Sequence, residues 1–122
     1  LDTIVVSIPA APSYIQVVRL ISSGLATRLR FTIDEIEDLK IAVDELCAYL
    51  TGSQGREGTL ELRFSVGDGS LTISGTGRFP SGETSRTELT EFSRMILETV
   101  ADSATLEQTD GSPTFSLVKS KH

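Results

Sequence analysis

In the stretch IEDLKIAVDELCAYL, residues 36–50, a carboxylate and a phenol stand four residues apart, at Glu45 and Tyr49. That is about one turn of helix, so the two side chains would share a face. A carboxylate on a partly apolar face is a candidate general base. Phosphoryl transfer would also need a hard oxygen ligand for magnesium close by, and a phenol is a poor one. The pair therefore has two readings. One is a base with an altered neighbour. The other is a pair of surface side chains, with Asp44 and Glu45 as solvated acids.

The helix that would position them is the clearest element of the chain. Ile36, Leu39, Val43, Leu46 and Leu50 form one apolar stripe. Glu45 and Tyr49 point away from it, on a side shared with Asp38, Ile41 and Ala48, which suits a pocket or a protein contact. Thr32 and Glu35 fit a capping box at its start, and Gly52 is a plausible stop. Before it, Pro12-Ser13 suits a helix entry, and Tyr14, Val17, Val18, Ile21, Leu25 and Leu29 recur at helical spacing. Gly24 costs that helix roughly 1 kcal/mol against alanine, so it marks either close packing or a weak point. A third helix is expected in ELTEFSRMILETVAD, with Leu89, Phe92, Ile96 and Val100 inward.

Five strands complete the reading. TIVVSIP is β-branched and closed by proline. TLELRFSV alternates and returns through GDG as SLTISG, and ATLEQT turns at Asp110-Gly111 into TFSLVK. Residues 52–58 and 76–87 lack periodicity and read as loops. The spacing predicts an α+β two-layer sandwich: a mostly antiparallel mixed sheet with about three helices on one face.

The chain has 122 residues, which fits one domain spanning 1–122. With 39% hydrophobic and 23% charged residues it is of ordinary globular composition. A net charge of −6 argues against direct nucleic-acid binding. No run reaches the ~18 apolar residues of a membrane span, and no secretory signal pattern is present. The lone Cys47 cannot staple the fold and is expected to be a buried, reduced thiol of a cytoplasmic protein. The start at Leu1 suggests a processed or trimmed chain, or one domain of a longer protein.

The segment 8–47 carries a resemblance. Its blocks are Ile8-Pro9-Ala10, Pro12, Tyr14, Arg19-Leu20, Ser23-Gly24, Ala26 and the run DEIEDLKIAV from Asp34 to Val43. They resemble the opening of the RsbW-type anti-sigma factors, serine kinases of the histidine-kinase-like ATPase (GHKL, Bergerat fold) superfamily. Beyond Gly52 the match thins to topology and scattered positions such as Glu98-Thr99 and Asp102. The resemblance implies partner switching: a protein, usually a homodimer, holds a sigma factor inactive until an antagonist competes for it. The kinase can dismiss that antagonist by phosphorylating one of its serines, using ATP and magnesium. It also implies a partner-binding surface, for which Arg19, Ser23, Asp34 and Glu37 are the candidates. Helix-dipole stabilisation alone would account for the acidic residues.

Against the family's nucleotide motifs, Glu45 takes the general-base position, while Tyr49 stands where an asparagine would hold magnesium. Gly75 and Gly77 could represent the glycines of the adenine motif, but no acid lies between Leu71 and Gly82, and a strand end with a turn explains them better. The phosphate-binding glycine turn is replaced by TEFSR, residues 90–94, with Glu91 bringing the wrong charge. A late phosphate-side threonine of the family corresponds either to Thr114 or, in the other register, to Pro113. The cofactor-binding candidates are thus Glu45, Tyr49, Gly75, Gly77 and Thr114, and no metal ligand set is expected. The expectation is a binding protein with a vestigial site and little or no ATP chemistry. The alternatives are an active ATP- and magnesium-dependent serine kinase with Glu45 as base, or a dimerising module of a longer regulator.

Overall fold

The structure, a computed structural model, describes residues 2–80 and 87–122. Leu1 and residues 81–86, half of the expected loop 76–87, lie outside the described residues, and the first three residues of that loop, Thr76 to Arg78, instead belong to the strand that begins at Ser70. The elements are β1 (Asp2–Pro9), a single 3-10 turn (Pro12–Tyr14), α1 (Ile15–Arg28), α2 (Ile33–Thr51), β2 (Thr59–Val66), β3 (Ser70–Arg78), α3 (Glu91–Val100), β4 (Ser103–Thr109) and β5 (Ser112–Ser120). The sheet order is β1-β2-β3-β5-β4, and every neighbouring pair is antiparallel. The α+β sandwich expected from the sequence is present, and its sheet is antiparallel throughout rather than mixed.

Alternation sets which face is covered. Leu62, Gly75 and Phe115 lie in register across β2, β3 and β5, as do Phe64, Ile73 and Leu117. The large members of both rows are fully buried. Against them α2 lays Leu39, Val43, Leu46 and Leu50, each without exposed surface. Cys47 sits in the same layer, and burial pushes its thiol up to about 12. The Asp110-Gly111 turn has φ of 53° and 79°, the left-handed pair that a two-residue hairpin requires.

The helix ends follow their local chemistry. Glu35 N donates to Thr32 Oγ1 at 3.1 Å and Thr32 N donates to the Glu35 carboxylate at 2.7 Å, so the expected capping box forms. Gly52 caps the far end with φ 68°. The other Glu35 oxygen accepts from His122 N at 2.7 Å, and Asp102 accepts from Ser120 N at 2.6 Å. Residues 120–122 are thereby fastened across the start of α2. The amides of Thr32 and then His122 hold the Glu35 carboxyl below its usual range, and that of Ser120 does the same for Asp102.

Two expected stripes rotate. In α3 the inward residues are Ser93, Leu97 and Val100, whereas Phe92 is 71% exposed. Phe92 sits one residue, about 100° of helix, from Ser93, and Ser93 is drawn inward by polar partners on α2. In α1, Ile15, Val18, Ser22 and Leu25 face the core, while Tyr14 and Val17 are exposed. Gly24 is exposed, and a Cβ placed there would meet no atom within 4 Å, so it is a weak point and not a close contact.

Gly24→Ala should therefore raise stability by roughly 1 kcal/mol, read as a higher urea midpoint. The Glu35 and Asp102 pKa values are depressed on folding, so the stability they supply is complete above their usual values of 4.5 and 3.8 and is lost as pH falls through the lower folded values. Urea midpoints should stay flat from neutral pH down to that region and then drop. Glu35→Gln should shrink the drop, and an unchanged acid limb would contradict this account.

Candidate functional site

Glu45 and Tyr49, one turn apart on α2, both reach the first turn of α3. Thr90 caps that helix, its Oγ1 accepting from Ser93 N at 3.1 Å. Thr90 N donates to Tyr49 Oη at 3.0 Å. Tyr49 Oη lies 2.8 Å from Ser93 Oγ, and Ser93 Oγ lies 2.6 Å from Glu45 Oε2. An amide only donates and an ionised carboxylate only accepts, so the proton order is fixed. The Thr90 amide donates to the Tyr49 oxygen, Tyr49 to Ser93, and Ser93 to Glu45. The Thr90 hydroxyl also donates to Ser93 Oγ at 3.0 Å.

A serine 2.6 Å from a carboxylate has the outline of a nucleophile and its base. Ser93 is 95% buried, however, and its two lone pairs are taken by Tyr49 and Thr90. The arrangement is a satisfied polar clamp between α2 and α3, with no lone pair left for attack.

A magnesium nucleotide held in the family manner does not fit these residues. The phenol at the magnesium position is bound into the cap of α3. Of the amides at the start of α3, Thr90 N already donates to Tyr49 and Ser93 N to Thr90 Oγ1. On β3, Gly75 and Gly77 are interior strand residues, not the strand end and turn that the sequence also allowed. A Cβ at Gly75 would stand 2.5 Å from the Phe115 ring, and one at Gly77 would stand 2.6 Å from the Phe79 ring. Both glycines make room for aromatic side chains of this chain. The Arg56 guanidinium lies 5.5 Å from the centre of the Phe79 ring. Thr114 lies 3.4 Å from Thr76, on the sheet face opposite the helices, so it shares no site with Glu45. The alternative, Pro113, faces inward and packs at Gly77. Among the described residues no group of three or more His, Cys, Asp or Glu is placed to hold a metal ion.

The partner candidates lie on the helical layer. Arg19 on α1 bridges to Asp44 on α2 at 2.6 Å and donates to Gln16 at 2.6 Å, with its side chain 36% exposed. Ser23 follows one turn later and is half-buried. Asp34 and Glu37 are exposed at the start of α2, Glu37 pairing with Lys40 at 3.2 Å. Ten residues separate Asp34 from Asp44, about 15 Å along the helix, so the four candidates form a ridge and not a pocket. Thr90, Ser93 and Asp44 were not foreseen from the sequence. A threonine followed by an acid just ahead of an apolar-patterned stretch is a cap signal that could have located the start of α3. Nothing local ties Ser93 to Glu45.

An antiparallel sheet covered on one face by helices, with an acid-bearing second helix meeting the start of a third, is consistent with the histidine-kinase-like ATPase fold. The relatives narrow it. The chain is 42% identical over 77 residues to the serine-protein kinase RsbW of Bacillus pumilus, covering 59% of this chain and 48% of the relative. It is 40% identical over 75 residues to that of Bacillus subtilis, covering 59% and 47%. With that of Halalkalibacterium halodurans it shares 41% over 73 residues, covering 59% and 45%. The chain thus spans about half the length of the curated relatives it matches. No family profile matches it. The chain is RsbW-like, as its sequence indicated. No described helix is long and apolar enough to cross a membrane.

Ser93→Ala should destabilise by about 1–3 kcal/mol, because it removes the bond that Glu45 accepts and the bond that Tyr49 donates. Tyr49→Phe should cost less, since it leaves the Ser93–Glu45 bond in place. Equal costs, or none, measured by urea denaturation would show that the clamp is not structural.

Proposed function

We propose that the chain is an anti-sigma-factor-like partner-switching regulator that binds a sigma factor, an anti-sigma antagonist or both, with little or no ATP chemistry. The observation that carries this reading is the clamp. Glu45, the inherited base position, is occupied by Ser93, and Tyr49 closes the start of α3 where magnesium and phosphates would be handled. The helical ridge of Arg19, Ser23, Asp34 and Glu37 stays open to a partner. A guanidinium already oriented by Asp44 is well placed to meet a partner carboxylate in two-pronged fashion. We further propose that the protein works in the cytoplasm as a homodimer and touches nucleic acid only through its partner.

The active-kinase alternative is favoured by one observation: the matched relatives are named serine-protein kinases. Calorimetric titration with magnesium and ATP separates the two. Folded protein should give no binding heat at millimolar nucleotide, and saturable heat would restore the kinase. In co-expression pull-downs, Arg19→Glu should abolish capture of the sigma factor, whereas Glu45→Ala should still repress a sigma-dependent promoter. Absence of any sigma factor or antagonist from the capture would refute the regulator reading.

A further inference from the structure

We infer that the trough between α2 and α3 docks a basic amphipathic helix of a partner protein. The surface extends the regulator reading, and rests on it. On α3, Phe92, Met95, Ile96 and Thr99 follow at the spacing of one helix face. With Val100 and with Ile41 of α2 they line a trough of about 410 Å³. Phe92 is 71% exposed, Met95 61% and Ile41 44%. The clamp does not account for them, since it uses the Ser93 side of α3. A contiguous apolar surface of this kind, unlike scattered exposed residues, marks an interaction site.

Its chemistry selects the occupant. Small-molecule sites of this volume carry several placed polar groups that fix orientation, and this one offers the single hydroxyl of Thr99. A groove running along two helices suits a helix that inserts residues at i, i+3, i+4 and i+7. Both rims are acidic. Asp34, Glu37 and Asp38 precede Ile41 by seven, four and three residues, and so share its side of α2. Glu91 stands four before Met95 on α3. Lys40 offsets Glu37, and Lys119 lies 3.7 Å from Asp38, but the rims stay net negative. Arg94 and Glu98 face a different hollow, beside Asp102. Lysine or arginine flanking an apolar stripe complements such a rim, whereas an anionic membrane or an acidic helix is repelled. A second copy could offer α1, with exposed Leu20 beside Arg19, but the contact would be head-to-tail, which propagates instead of closing. Asp34 and Glu37, expected from the sequence to face a partner, belong to this rim.

The test is fluorescence anisotropy with a labelled synthetic helix that carries a leucine stripe at helical spacing and lysine elsewhere. Controls are its glutamate counterpart and a scrambled peptide of the same composition. The lysine helix should bind, more weakly as salt rises. Phe92→Glu and Met95→Glu, both at exposed positions and checked for folding by circular dichroism, should weaken it at least ~10-fold. Arg19→Glu should leave it unchanged. Amide shifts on binding should centre on Ile41, Phe92 and Met95. Absence of binding, equal binding of the glutamate or scrambled helix, or unaltered binding to Met95→Glu would overturn the proposal. So would adsorption to anionic vesicles through Phe92, or self-association that Met95→Glu abolishes. Failure here would leave Arg19-dependent sigma-factor capture intact, and failure of that capture would leave the peptide result intact, so the two readings fall separately.

Discussion

The amide of Thr90, the cap residue of α3, must find an acceptor, and much of the site's character follows from which acceptor it has. A helix N-terminus presents unpaired N–H groups and a partial positive charge, and phosphate is one natural way to satisfy them. Here Tyr49 Oη accepts from Thr90 N, and the proton order then runs through Ser93 to Glu45. Filling the start of α3 from within fixes α3 against α2 and turns Ser93 inward. It leaves Phe92 and Met95 on the outside by simple rotation of the helix. The polar clamp and the apolar outer trough are therefore two sides of one constraint.

The rest of the helical layer is held by charges placed at its edges. Arg19 joins α1 to the middle of α2 through Asp44, and Lys119 of β5, only 6% exposed, is balanced by Asp38. The start of α2 is secured twice, by its own capping box and by the amide of His122 on the second Glu35 oxygen. Such partly exposed pairs contribute little each. Their value here is directional: they fix which side of α2 meets α1, the sheet and α3.

Elements defined by local chemistry were legible in the sequence. The capping box of Thr32 and Glu35, the stop at Gly52 and the Asp110-Gly111 turn each follow from residues a few positions apart. What failed was decided at a distance. Phe92 belongs to a plausible inward stripe, and only the pull on Ser93 by residues more than forty positions away rotates it out. Gly75 and Gly77 look like punctuation until Phe115 and Phe79 are seen to need their space. Thr114 was a candidate by counting along the chain, but a strand reverses face at every residue, so an uncertainty of one position decides whether it meets the helices at all. Glu45 and Tyr49 were correctly placed on one face, because helical spacing alone requires it. What they touch was not contained in that spacing.

The clamp also bears on whether a nucleotide could enter by displacing it. Opening the start of α3 would break the bonds from Thr90 N to Tyr49, Tyr49 to Ser93, Ser93 to Glu45 and Thr90 to Ser93. At about 1 kcal/mol net for each, the open form would lie roughly 4 kcal/mol above the closed one. The competent state would then be populated at about one part in a thousand, and any nucleotide affinity would be reduced by that factor. A ligand could recover the loss only through contacts made in the open form alone. The groups that would make such contacts, a magnesium ligand on α2 and an acid on β3, are the ones replaced here by Tyr49 and by a strand packed with aromatic rings. Rigidity of this kind favours a surface that must keep its shape for a protein partner, because a fixed ridge and trough lose less entropy on docking than a mobile lid would.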